Sequence, residues 1–174
     1  KIIVLLSLIS ISAYTHNCYA QKVFDFNNTC QQAYQQITSL KLNAGKQLLT
    51  KARTENPNNL IPDVLDNYID FYTLFFNEDP AYFKTASPQF DARLDNIESG
   101  PQQSPYYNFC RTVIYMQKAL VEIKFGKQWA AGWDFKKAFS LAKDNKKKFP
   151  DFLPNNMVNG PMLIAATTIP DGYK

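Results

Sequence analysis

Glu122 is the residue of this chain best placed to do chemistry, because it lies inside the apolar stretch Ala119-Leu120-Val121-Glu122-Ile123. A lone carboxyl in such surroundings can keep its proton near neutral pH and act as a general acid, and some all-α enzymes that cut peptidoglycan rely on one such glutamate. The plainer placement is on a hydrated stripe of its helix, with Lys118 one turn earlier in pairing range. Trp129 and Trp133 flank Ala130-Ala131-Gly132 one helical turn apart. Two indoles at that spacing form a stacking platform for a sugar ring. Alternatively, the small residues admit a neighbouring helix while the tryptophans fill the space around it. Tryptophan is buried on average, which favours the core reading. Asp63, Asp66 and Asp70 share a helix face, but a straight helix gives calcium no loop of oxygens to wrap it.

Other chemistry is excluded by what the chain lacks. His16 is its only histidine and falls in a segment expected to be removed. A protein without histidine has no Ser-His-Asp triad, no Cys-His pair and no histidine metal site. No glycine-rich phosphate loop and no Cys-x-x-Cys pair occurs. No catalytic residue, cofactor or metal is therefore expected. Cys30 and Cys110 remain once Cys18 is removed, and an oxidising compartment allows them a disulfide. If unbridged, they are expected to be buried and unreactive.

The compartment is inferred from the first twenty residues. Residues 2–13 are uncharged and apolar, Lys1 precedes them, and Cys18-Tyr19-Ala20 places a small residue at a cleavage position before Gln21. That order is a secretory signal peptide, and the run is shorter than the ~20 residues a bilayer span needs. Residues 1–20 are thus read as a signal and 21–174 as the domain, exported to the periplasm or the outer membrane. Lipid attachment at Cys18 is the alternative, although Thr15-His16-Asn17 suits it poorly.

The chain carries a net charge of +4, and much of the excess lies in Lys136, Lys137, Lys143, Lys146, Lys147 and Lys148. Lysines near a helix C-terminus complement its dipole and are usually solvated. No nucleic-acid partner is expected.

The elements that must position these residues are helices throughout. Asn27, Asn28 and Thr29 offer caps for a first helix that ends near Leu40, and a second helix from Ala44 stops at Asn56-Pro57-Asn58-Asn59. Val64, Leu65, Tyr68, Ile69, Tyr72 and Phe76 follow a helical period over 61–77. Pro80 begins a short helix, and a separate one follows Ser87-Pro88. Ser104 and Pro105 start a helix over 105–125, apolar around most of its circumference and so central, which Gly126 ends. The last clear helix spans 128–148.

Segment 48–59, a helix followed by a Pro-Asn turn, resembles the second helix and turn of a tetratricopeptide (TPR) repeat, and 138–150 is a weaker copy. The strict repeat period of that family is absent, so the resemblance is to TPR-like helical hairpins. Several segments also resemble an uncharacterised group of exported, TPR-like helical proteins of Bacteroidota. They include Asn67-Tyr68-Ile69-Asp70-Phe71, Ser104-Pro105-Tyr106-Tyr107 and Ile169-Pro170-Asp171-Gly172-Tyr173-Lys174. The resemblance implies stacked helical hairpins and an envelope location, with no catalytic residues to transfer.

The sequence therefore points to an all-α protein of antiparallel helical hairpins in a TPR-like right-handed array. The expected role is a non-catalytic scaffold for a protein or peptide in the cell envelope, with peripheral membrane association a further expectation. An outer-membrane-associated carbohydrate-binding protein is the first alternative, and a glycan-cleaving enzyme using Glu122 the second. The chain also reads as a fragment cut at both ends, with an exposed apolar face near 162–169 where further helices would dock.

Overall fold

The protein is described by a computed structural model covering residues 21–158. The expected signal segment and the apolar residues 162–169 lie outside that range. Six helices are described from end to end, α1 (Asn28–Thr38), α2 (Leu42–Glu55), α3 (Ile61–Asn77), α4 (Pro80–Glu98), α5 (Pro105–Lys124) and α6 (Gln128–Lys148), and residues 155–158 are helical again. The fold is all-helical. Among the described residues the only β pairing is an isolated bridge between Val23 and Asn59.

The helix starts are set by local chemistry. The side chains of Asn27, Asp79 and Ser104 accept from backbone N–H groups in the first turns of α1, α4 and α5. Each satisfies a donor that the helix leaves orphaned. Pro62, Pro80 and Pro105 occupy first-turn positions of their helices, where a missing N–H is harmless. Gly126, with φ of 73°, follows α5 in the left-handed conformation that ends helices.

Consecutive helices pair as hairpins: α1 with α2, α3 with α4, and α5 with α6. The odd-numbered helices also touch one another, α1 on α3 and α3 on α5, so they form one layer with the even-numbered helices behind it. Gly45 lets α2 close on α1, since a Cβ there would lie 2.3 Å from Ile37 Cγ1. Helix α5 is central, packed against α3, α4 and α6, and it buries Cys110, Val113, Ile114, Ala119 and Val121.

One element differs from the sequence reading. The two helices expected on either side of Ser87-Pro88 are a single helix, α4, with Pro88 inside it. An interior proline usually breaks a helix, because it removes one hydrogen bond and crowds the carbonyl four residues back. Here Pro88 and Lys84 are both exposed, on the side of α4 away from its buried face. Ala86, Phe90, Leu94 and Ile97 bury one continuous face across the proline, and that packing outweighs it.

Polar side chains join the layers. Asn59 accepts from the backbone N–H groups of Asp25 and Ile61 and donates to the Asp25 carbonyl at 2.7 Å. Asn67 donates to Gln117 at 2.7 Å and accepts from Arg93 at 3.1 Å. The three aspartates of α3 serve this framework: Asp63 and Asp66 pair with Arg53 of α2, and Asp70 pairs with Arg93 of α4 at 2.5 Å.

Candidate functional site

The side of the odd-helix layer turned away from the even-numbered helices carries a chain of aromatic rings. Phe26 meets Tyr34 with centroids 6.1 Å apart, Tyr34 meets Tyr68 at 5.9 Å, Tyr68 meets Tyr72 at 6.1 Å, and Tyr72 stacks on Phe76 at 6.1 Å. Phe71 and Phe75 run alongside, within 5.4 Å of each other. Residues 68, 72 and 76 recur one turn apart on α3, and α1 brings Tyr34 against them. The tyrosines are half-buried, whereas Phe76 is 61% exposed.

The hydroxyls distinguish this row from ordinary packing. Tyr82 donates to Asp70, and Tyr115 accepts from Lys137. Among the described residues, no hydrogen bond joins the hydroxyl of Tyr34, Tyr68 or Tyr72 to another group. Burial raises the pKa of all three, and the neighbouring tyrosines raise those of Tyr68 and Tyr72 further. Three protonated hydroxyls beside ring faces can donate and accept hydrogen bonds to a ligand while the rings cover its apolar parts. Tyr68, Tyr72 and Phe76 belong to the helical period expected over 61–77, which says nothing of their hydroxyls. The signal that period passes over is that tyrosine, not leucine, holds two of those positions.

A second concavity lies among α4, α5 and the start of α6. Its volume is about 260 Å³, and it is lined by Phe83, Pro88, Phe90, Lys118, Glu122 and Lys127 among others. Glu122 is not on a hydrated stripe: it is 8% exposed, and among the described residues its Oε2 has no hydrogen-bond partner. Lys118 does not pair with it either. The ammonium is bonded to Asp91 at 2.7 Å and to Asp134 at 3.2 Å. Burial first, and the adjacent Asp134 carboxylate second, push the Glu122 carboxyl up to about 7. It can therefore hold a proton at neutral pH. Asp91 and Asp134 are both engaged by the Lys118 ammonium.

The indoles are placed opposite to the core reading. Trp129 is 80% and Trp133 68% exposed, on the side of α6 away from its buried Ala131, Ala138 and Ala142. Among the described residues no group lies within 4 Å of where a Cβ would stand on Gly132, so no described helix packs on that glycine, whereas Ala131 faces inward and is buried. Local pattern alone could not reveal this, because an outer stripe and an inner stripe have the same period.

Cys30 and Cys110 are both buried and carry free thiols, with no bridge between them. Burial pushes the Cys30 thiol up to about 11 and that of Cys110 higher still. Both stay protonated and unreactive at neutral pH. Set beside known proteins, the chain matches no family model, no curated protein and no solved structure.

Proposed function

We propose that this is an exported, non-catalytic helical scaffold that binds a peptide or protein segment of the cell envelope along the odd-helix face, in the manner of TPR-like arrays. The observation that carries the reading is the tyrosine row. Tyr34, Tyr68 and Tyr72 set hydroxyls that bond to no other group among the described residues into a continuous aromatic surface. Tyrosine-rich surfaces supply large contact area with adaptable hydrogen bonding at low conformational cost.

The test is selection from a displayed peptide library, followed by calorimetry on the best binders. Removing the hydroxyls with Tyr34→Phe, Tyr68→Phe and Tyr72→Phe should weaken binding roughly fivefold per hydroxyl lost from a ligand hydrogen bond, about 1 kcal/mol each. The reading fails if no peptide is enriched, or if enriched peptides bind the triple variant as tightly. An oligosaccharide arm in the same assay separates a carbohydrate ligand from a peptide.

The Glu122 cavity favours a second reading, acid catalysis on a glycan. Its support is a carboxyl that retains its proton at neutral pH beside a ligand-sized concavity. Peptidoglycan or polysaccharide turnover that disappears in Glu122→Gln would establish it over the scaffold.

A further inference from the structure

Along α6, Trp129, Trp133, Lys136, Ser140, Lys143 and Lys147 follow one another at alternating steps of four and three, so they form a single stripe. All six are exposed. The stripe is about 27 Å long at the rise of an α-helix. It is divided along its length rather than across it, with indoles at the N-terminal end and ammonium groups toward the C-terminal end.

The charge is equally localised. Helix α6 has six lysines against two aspartates, and the resulting +4 equals the net charge of the whole chain. The remainder is electrically balanced. An extended positive surface on an otherwise neutral protein orients it toward an anionic partner.

We propose that this stripe of α6 docks the protein flat onto an anionic lipid surface. Indoles favour the boundary between headgroups and acyl chains, where an apolar ring and a polar N–H are both accommodated. Lysines at headgroup level supply electrostatic attraction, and tryptophan and lysine are the residue types that anchor proteins at a membrane–water interface. Among the described residues no helix is long and apolar enough to cross a membrane, so this contact is peripheral. A soluble glycan fits the stripe less well. Lys136 Nζ lies 5.5 Å from the Trp133 ring centroid and occupies the face a sugar would stack on. Ser140 is the only uncharged polar side chain in the stripe.

Trp129 and Trp133 are the only tryptophans in the chain, so intrinsic fluorescence reports on this stripe alone. That matters because residues 2–13 of the full chain are apolar enough to bind vesicles themselves, which makes co-sedimentation uninformative. The full chain is mixed with vesicles of phosphatidylglycerol and phosphatidylethanolamine, and in parallel with vesicles of phosphatidylcholine. The expected result is a blue shift with the anionic vesicles, absent with phosphatidylcholine and reversed by salt. Lys136→Glu, Lys143→Glu and Lys147→Glu together should abolish the shift, since each lysine near an anionic surface strengthens binding about fivefold. These residues are exposed, and circular dichroism confirms that the variant keeps its helices. The proposal is overturned if the indoles do not respond to anionic vesicles, if phosphatidylcholine gives an equal shift, or if the glutamate variant still shifts. A shift of equal size with a soluble polysaccharide overturns it in favour of a glycan platform.

Discussion

Helix α3 carries carboxylates and an amide into the interior, whereas α6 carries two tryptophans out of it. In α3 the inward polar groups are matched: Asp63 and Asp66 meet Arg53, Asp70 meets Arg93, and Asn67 meets Gln117. In α6 both indoles are mostly exposed, on the side of the helix opposite its buried alanines. A departure from amphipathic pattern that is internally satisfied belongs to stability. One that projects outward into solvent belongs to recognition. Loss of a group should therefore damage folding near α3 and leave folding intact on the outer side of α6.

The largest expected effect is at Arg93. Its guanidinium bonds both Asp70 and Asn67, and side-chain exposure in the ion pair is 16% for Arg93 and 13% for Asp70. Arg93→Ala leaves Asp70 charged and without its cation, which should lower stability by about 3–5 kcal/mol. Urea denaturation measures it, and a loss below about 1 kcal/mol would mean that the network is not holding α3 to α4.

Glu122 comes next, through pH. Its folded pKa is raised from 4.5 to about 7, so over that interval the folded state binds a proton that the unfolded state releases. Stability is therefore full at the acidic end and falls as pH rises toward 7, by on the order of 3 kcal/mol in all. In Glu122→Gln this decline should vanish. Equal slopes in melting temperature against pH for the two proteins would show that Glu122 is not the titrating group.

Smaller effects sharpen the contrast. Leu40 is 55% exposed with φ of 60°, a conformation that disfavours side chains. Leu40→Gly should stabilise the α1–α2 turn by about 0.5–1 kcal/mol, and a destabilised variant would reveal a packing role for that leucine. Smallest of all, Trp129→Ala with Trp133→Ala should change stability by less than about 0.5 kcal/mol. A loss of several kcal/mol would place the indoles in the framework and erase the distinction between the two helices.

Most of the fold was legible in the sequence because its signals are local. Pro62, Ser104-Pro105 and Gly126 mark helix ends by backbone chemistry that needs no neighbour, and the apolar circumference of α5 identifies a helix with others on most sides. Pro88 misled for the converse reason: whether a proline breaks a helix depends on what Phe90 and Leu94 bury elsewhere. The candidate site was legible only as residue types. Glu122 was singled out, but its burial depends on Asp134 and on α4, which the sequence does not place beside it. For Trp129 and Trp133 the spacing was right and the side was not, since periodicity defines a face without saying which face is inward. The tyrosine row needed Tyr34 of α1 to meet Tyr68 of α3, a contact between segments that no local pattern encodes.

The link between residues 23–25 and 58–60 has a kinetic consequence. Val23 donates to the Asn58 carbonyl at 3.0 Å, and Leu60 donates to the Val23 carbonyl at 2.9 Å. The path between them contains all of α1 and α2, so these bonds close a loop around the first hairpin without a covalent link. Opening that loop frees the leading strand and the entry to α3 in one event. The amides of Val23 and Leu60 should then exchange with deuterium at a common rate, as members of one cooperative unit. If Val23 exchanges much faster than Leu60, the leading strand detaches alone and the first hairpin is held by α3 without it.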